Sequence, residues 1–423
     1  MSLSFRAAVV VGALVLTVSC ARSGSAPGRT DMSGRVGLGR VPATDLGFVR
    51  HGDAVDWPAA HDWVPPGSGL RTMVPMGACV LALGDYQNGH RAVGANWTGD
   101  PTCDRLRLNP PPNGSRAGGD GPPEAANGWP GGGVGGDAVL VEPGGTILAA
   151  SSSGLYRYRD GRPEPLARAD LSTTGFEGQG SRSLVDSLVR TGSGRIIVGA
   201  DLIRSVGPPP AVLVSDDDGK SLHRVDLPAP VGPGSPTRQL LAVMAADGDT
   251  VVAIGYGWDR PGAWRSTDGG RTWAVATIDG LPPQLMLTRL VRAGGRWLAF
   301  GGVEGTAAGQ QDTTFVLTSV DGLSWAPGPT AGLGAGRVSD VTVDRSGAVV
   351  VSGVIDDSRP HTAGERDDYC GVVWLGDGSG PWRRGELGCG DSPPQAVATL
   401  RDGRVLIAGN RDLWLRPAGA NTR

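Results

Sequence analysis

The feature of this chain that most restricts its fold is an internal repeat of about fifty residues. Each copy has an apolar strand, a Gly/Asp turn, a second strand ending in a small residue, an irregular segment and a further strand. The small residues stand 50, 56, 46, 52 and 56 positions apart, at Ala149, Gly199, Gly255, Gly301, Gly353 and Gly409. A period of this length with several short strands per copy is typical of a β-propeller.

The strands within each copy are short, rich in β-branched residues and bounded by Gly or Asp, as in residues 251–254 and 349–352. This pattern indicates strands rather than helices. We therefore predict an all-β fold, a six- or seven-bladed β-propeller, with seven blades favoured. Residues 73–108 are expected to supply either the strand that closes the ring or a seventh blade, and residues 109–136, rich in Pro and Gly, an exposed loop.

Three copies lead from an apolar strand into a turn of Ser, Asp and Gly. Residues 266–273 read S-T-D-G-G-R-T-W, residues 215–222 end in Leu instead of Trp, and residues 319–325 are one residue shorter. Ser and Asp side chains bond nearby backbone N–H groups, Gly accepts a positive φ, and Trp can fold back beneath the turn. The residues expected to have this structural role are Ser215, Asp217, Gly219, Ser266, Asp268, Gly270, Thr272, Trp273, Ser319, Asp321, Gly322 and Trp325.

These turns resemble the Asp boxes of BNR-repeat propellers, a group that includes sialidases, other glycosidases, sortilin-type receptors and photosystem-assembly factors. The resemblance extends over residues 137–417 and implies the propeller fold. In that group the Asp boxes lie on the outer rim, away from the central ligand pocket. The resemblance therefore implies a structural role for the turns and says little about activity.

Candidates for catalysis are few. A sialidase-like enzyme would need an arginine cluster, a Tyr–Glu nucleophile pair and an Asp acid/base, yet Tyr369 with Glu365 is the sole C-terminal pair of suitable type. The R-V-P sequence of residues 40–42 lacks the aromatic residue of the sialidase motif. His51 and His61 lie among aspartates without metal-ligand spacing. We predict no catalytic residue, metal or cofactor; the alternative is a sialidase-like glycoside hydrolase.

The N-terminus carries an export signal. Residues 7–18 form an apolar run after Arg6 that suits a signal peptide and is too short for a stable membrane span. The sequence L-T-V-S-C resembles the lipobox of bacterial lipoproteins, whose cysteine is acylated, which implies lipid attachment at Cys20. We expect a signal peptide at residues 1–19, a flexible tether at 20–47, the propeller at 48–417 and a tail at 418–423; plain secretion is the alternative.

Five cysteines are present, and assigning Cys20 to the lipid leaves an even number for disulfides. The nearest pairs in sequence are Cys79 with Cys103 and Cys370 with Cys389. Each would close a loop of about twenty residues and stabilise the fold by roughly 3 kcal/mol. The other two connectivities remain open at this stage.

A net charge of -3 argues against nucleic-acid binding. Together these features predict a lipid-anchored, extracytoplasmic module for binding or scaffolding. Its ligand, an unidentified protein or glycan, would occupy the mouth of the propeller, where loops from all blades converge. The membrane would be reached through the N-terminal lipid.

Overall fold

The computed structural model describes part of the 423-residue chain, and the structural statements below refer to that part. The described residues are 40–57, 69–88, 91–109, 138–142, 145–151, 154–159, 162–167, 183–202, 210–229, 239–257, 261–282, 285–303, 305, 312–356, 369–390 and 393–420. The predicted signal peptide, Cys20 and most of the predicted loop at 109–136 lie outside these residues. No helix in the described ranges has the length and apolar character to span a membrane.

Within the described residues the strands form six hydrogen-bonded sheets of four, five or eight strands. The eight-stranded sheet is two four-stranded units joined by one parallel pair, so the described chain contains seven four-stranded antiparallel units, here called sheets A to G. Sheets A to F each follow chain order from first to fourth strand. Sheet A comprises β3 (Gly69–Met76), β4 (Cys79–Asn88), β5 (Arg91–Gly99) and β6 (Leu106–Leu108). Sheet B comprises β7 (Ala138–Val141), β8 (Ile147–Ser151), β9 (Gly154–Arg159) and β10 (Arg162–Ala167). Sheet C comprises β11 (Ser183–Arg190), β12 (Ile196–Leu202), β13 (Ala211–Ser215) and β14 (His223–Asp226).

The remaining sheets repeat this layout, with additions at their edges. Sheet D comprises β15 (Gln239–Asp247), β16 (Thr250–Gly257), β17 (Gly262–Ser266) and β18 (Ala274–Ile278). Sheet E comprises β19 (Leu285–Ala293), β20 (Arg296–Val303), β21 (Thr313–Ser319) and β22 (Ser324–Pro327), and β22 also pairs in parallel with β18. Sheet F comprises β23 (Arg337–Val343), β24 (Val349–Asp356), β25 (Tyr369–Gly376) and β26 (Arg383–Gly390). Sheet G comprises β27 (Pro394–Thr399), β28 (Val405–Gly409), β29 (Leu413–Arg416) and, from the N-terminal side, β2 (Val49–His51).

The seven sheets surround one axis. The first strand of each sheet contacts the first strand of the next, and that of sheet G returns to that of sheet A. Seven clusters of buried apolar side chains match this order, one between each pair of neighbouring sheets. Each sheet is therefore buried on both faces, which explains its continuous β-branched runs. The all-β propeller prediction is confirmed.

The first strands share a β-bulge at one level. In sheets A, C, D, E, F and G the strand pairing shifts by one residue, as between Leu287 and Arg289. A glycine of the second strand stands opposite: a Cβ added to Gly301 would lie 2.0 Å from the carbonyl oxygen of Met286, and one on Gly353 2.4 Å from that of Arg337. The repeated small residue of the sequence is thus a glycine because the bulged strand leaves no room for a side chain.

Residues 40–57, here called the strap, run along the edges of sheets F, G and A. β1 (Arg40–Pro42) pairs in parallel with β26, a 3-10 turn (Ala43–Leu46) follows, and β2 completes sheet G. Val55 then forms a parallel bridge with Leu106 of sheet A. The strap thus contacts three consecutive sheets.

Two sequence-based boundaries need correction. The predicted tether to residue 47 is too long, because residues 40–42 form β1, residues 43–46 form the 3-10 turn, and Ala43 and Leu46 are buried. The predicted tail from residue 418 is also partly packed, because the Ala420 carbonyl accepts a hydrogen bond from Arg416. Of the two expectations for residues 73–108, a separate four-stranded sheet is observed, and closure comes from β2 instead.

Candidate functional site

The two ends of the sheets differ, and they are named here by their connections. The turn end carries the turns between first and second strands and between third and fourth strands. The loop end carries the connections from second to third strand and from each sheet to the next. Turn-end connections have two to seven residues, whereas loop-end connections range from two residues, between β4 and β5, to 29, between β6 and β7. Many loop-end connections lie partly outside the described residues.

The Ser–Asp–Gly turns lie at the turn end of sheets C, D and E and share one hydrogen-bond pattern. In sheet D the Ser266 hydroxyl accepts the Gly270 N–H at 2.8 Å and donates to Asp268 at 2.7 Å. Asp268 also accepts the N–H and hydroxyl of Thr272, at 2.9 and 2.6 Å. Gly270 has φ of 83°, which a side chain would strain. The carboxylate is therefore occupied within its own turn.

The other two turns repeat these bonds. The hydroxyl of Ser215 accepts the Gly219 N–H at 2.7 Å, and that of Ser319 accepts the Gly322 N–H at 2.8 Å. Asp217 accepts from Ser221 and Asp321 from Ser324.

Hydrogen bonding lowers the pKa of these carboxyl groups. Bonds from the Ser221 side chain and backbone, then from Ser215, lower the pKa of Asp217 to about 2. Partial burial opposes the same effect at Asp268, but bonds from Thr272 and Ser266 outweigh it and hold that pKa well below its usual value. Such carboxylates stay ionised and cannot act as general acids near neutral pH.

The tryptophans of these turns pack between neighbouring sheets and are not displayed to solvent for ligand binding. Trp325 is 1% exposed in the core between sheets D and E, and its Nε1–H donates to the Gly322 carbonyl at 3.1 Å. Trp273 donates likewise to Gly270 at 3.1 Å and packs between sheets C and D. Leu222 has the equivalent position between sheets B and C.

Ion pairs join neighbouring sheets at the turn end. Glu142 of sheet B binds Arg157 at 2.9 Å and Arg190 of sheet C at 2.5 Å. Asp218 of sheet C binds the same two arginines, at 2.9 and 2.5 Å. Two carboxylates and two guanidinium groups thus neutralise each other, and the charges of this network are used within the fold.

The axial side of sheets E, F and G carries a different arrangement, next to the bulges. Asp340 of sheet F accepts Arg289 Nε of sheet E at 2.6 Å and the Val397 N–H of sheet G at 2.9 Å. It also accepts its neighbouring Val341 N–H at 2.8 Å. Because one side chain contacts the sheets on either side, it lies on the axial side of its strand. The sequence analysis missed this pair.

Both disulfides predicted from sequence proximity are present, Cys79–Cys103 in sheet A and Cys370–Cys389 in sheet F. His51 lies in β2, whereas His61 and Glu365 lie outside the described residues, as does the side chain of Tyr369. In the described ranges no three His, Cys, Asp or Glu side chains are grouped so as to hold a metal ion.

Comparisons with known proteins give similarity of fold at low identity. No family model matches the chain, and no curated protein matches it. The extracellular domain of a hybrid two-component system from B. thetaiotaomicron is similar with TM-score 0.48 and 9% identity over 87% of this chain; the chain spans 40% of that protein's length. A streptogramin B lyase has TM-score 0.46 and 12% identity over 88% of this chain and 97% of its own. An ulvan lyase has TM-score 0.46 and 12% identity over 84% of this chain and 94% of its own. These values carry no argument about activity.

Proposed function

We propose that this chain is a lipid-anchored, extracytoplasmic β-propeller that recognises a protein or glycan partner at its loop end. The observation that carries the proposal is the difference between the two ends. At the turn end Asp268 bonds within its own turn, and Glu142 and Asp218 pair with arginines. The loop end includes the longest connections, up to the 29 residues between β6 and β7, and long loops on rigid sheets are the usual arrangement of a recognition surface.

We also propose that the Ser–Asp–Gly turns are Asp boxes with a structural role, since their side chains bond within the turn or pack in the cores. The two disulfides indicate an oxidising, extracytoplasmic compartment. Anchoring through diacylated Cys20 fits that compartment and supplies the two acyl chains that stable membrane attachment requires.

The recognition surface is tested with a photo-crosslinking amino acid at either end of one sheet. Met286 and Val320 of sheet E are 56% and 63% exposed, the first at the loop end and the second in a turn. Intact cells producing the full chain are irradiated with the crosslinker at one or the other position. A discrete adduct from position 286 and none from position 320 is expected. An adduct from position 320 alone, or from neither position, would contradict recognition at the loop end.

Anchoring and catalysis are tested separately. Labelled palmitate should appear in the full chain and not in the Cys20→Ser variant, which should move from the membrane fraction to the medium. The purified chain should leave a panel of fluorogenic glycosides, including a sialoside, unhydrolysed. Turnover that is lost on mutating one axial carboxylate would instead support the hydrolase.

A further inference from the structure

The first strand of sheet E presents different side chains on its two sides. Leu285, Leu287 and Leu290 pack into the core shared with sheet D. Met286 and Arg289 lie on the other side, where Arg289 reaches Asp340 of sheet F. Met286 is 56% exposed, which is unusual for an apolar residue in the first strand of a sheet. The loop end of this strand therefore offers an apolar contact close in sequence to an arginine.

The guanidinium group of Arg289 is held in a fixed orientation. Its Nε donates to Asp340 at 2.6 Å, and its Nη1 donates to the Thr288 carbonyl at 2.9 Å. Asp340 is itself fixed, because its side chain is 8% exposed and it accepts two backbone N–H groups. In the described part of the chain Nη2 has no partner, and the Arg289 side chain is 36% exposed. Nη2 is thus open, on a guanidinium group whose other two nitrogens are held in place.

A second cation lies at the same level. The bulges of β19 and β23 are equivalent, so that Arg289 corresponds to Asp340 and Met286 corresponds to Arg337. Arg337 is exposed and makes no ion pair within the described ranges. Arg337 therefore adds a second positive charge at the level of Met286.

We infer that this rim of sheets E and F binds a small organic carboxylate that carries an apolar group. A carboxylate accepts a charge-assisted N–H bond from a guanidinium group such as the open Nη2 of Arg289, and a fixed guanidinium loses little entropy in forming it. The flexible thioether of Met286 would contact the apolar group, and Arg337 would attract the anion. The inference rests on the proposed function, because it names the chemistry that the loop end recognises.

The test uses the full chain in detergent and three probes observed by ligand-detected NMR. Phenylacetate has both features, phenylacetamide lacks the charge and acetate lacks the apolar group. Phenylacetate should bind at least about tenfold more tightly than either, the usual effect of losing a charged hydrogen bond or a buried ring. Equal affinity for phenylacetate and phenylacetamide would overturn the inference.

Variants then locate the site. Arg289→Gln should weaken phenylacetate binding about tenfold or more. Arg292→Gln, a matched change on the same strand whose arginine binds Asp247 at the turn end, should leave it unchanged. Met286→Ala should weaken it about threefold through lost apolar contact. Equal effects of the two arginine variants would place the ligand elsewhere and overturn the inference.

Arg289→Lys covers the case in which Arg289→Gln fails to fold. Lysine keeps the positive charge but has no guanidinium group, so the variant should bind phenylacetate more weakly than the unmodified chain while unfolding at the same temperature. Full affinity in this variant would contradict recognition through the guanidinium group of Arg289. If phenylacetate fails to bind but position 286 still crosslinks to a partner, the carboxylate site is wrong and the proposed function stands.

Discussion

Sheets A and E secure the same turn, between their third and fourth strands, by different means. In sheet E, hydrogen bonds to Asp321 hold the turn and Trp325 fills the core beside it. In sheet A, Asp100 accepts the Thr102 hydroxyl at 3.1 Å, and Cys103, bonded to Cys79, is buried in the core shared with sheet G. The disulfide of sheet A therefore takes the place that the indole of Trp325 fills in sheet E. We expect the stability of sheet E to depend more strongly on the packing of that one side chain.

The largest effect is expected from Trp325→Ala. The side chain is almost fully buried, so its loss should lower the free energy of unfolding by about 3–5 kcal/mol. Guanidinium titration followed by far-UV circular dichroism measures the change. Trp273→Ala, whose side chain is only partly buried, is the control and should cost less. Equal losses would show that burial does not distinguish the two turns.

Removing the disulfide of sheet A should lower the free energy of unfolding somewhat less than Trp325→Ala does. Cys79→Ser with Cys103→Ser frees a loop of 24 residues and should lower the free energy of unfolding by about 3 kcal/mol. Cys370→Ser with Cys389→Ser, separated by 19 residues, is the matched control and should give a similar loss. A negligible effect in sheet A alone would mean that packing already holds its turn.

Sheets A and E each have a glycine opposite the bulge of the first strand. Replacing this glycine should lower the free energy of unfolding less than the changes above. A Cβ at Gly301 would approach the Met286 carbonyl to 2.0 Å, so Gly301→Ala should destabilise the fold by about 1–3 kcal/mol. Gly302→Ala is the neighbouring control, because its Cβ would lie 3.6 Å from the nearest atom, the Thr313 carbonyl oxygen. Gly84→Ala in sheet A should resemble Gly301→Ala. Thermal unfolding of the three variants decides whether the bulge is a shared requirement.

The smallest effect concerns pH. Backbone hydrogen bonds from Ser324 and Leu323 lower the pKa of Asp321. A lowered pKa stabilises the fold above the carboxyl's unfolded value, near 4, and this stability is lost as the pH falls through the folded value. Asp321→Asn should therefore cost less than about 1 kcal/mol at pH 7, since the group is exposed and screened. The difference from the unmodified chain should shrink as the pH falls below about 4, and a difference that grows in acid would contradict this assignment.

The sequence predicted much of this architecture because the repeat is marked by residues with strict local requirements. The glycines at 199, 255, 301, 353 and 409 stand opposite bulges, whereas Ala149 belongs to sheet B, whose described first strand has no bulge. Sheet A carried the same signal in L-A-L-G-D-Y, since a Cβ on Gly84 would lie 2.1 Å from the Gly69 carbonyl oxygen. The sequence predicts either a closing strand or a seventh blade at residues 73–108, and the glycine signal favours the blade.

The contact between Arg289 and Asp340 could not be predicted from the sequence. Arg289 and Asp340 belong to different copies, and a bulge changes which side of a strand the following residues face. Strand alternation alone therefore could not place them together. The disulfides were easier, because each joins cysteines that are close in sequence.

The strap pairs with a strand that lies far from it along the chain. Val49, near the start of the described residues, pairs with Leu415, near their end. Arg416 then bonds the Leu46 carbonyl at 3.1 Å and Asp344 at 3.0 Å. Because β2 precedes β29 by most of the described chain, sheet G cannot be completed until β29 has been synthesised. A chain that stops before β29 would leave β2 without its partner strand in sheet G.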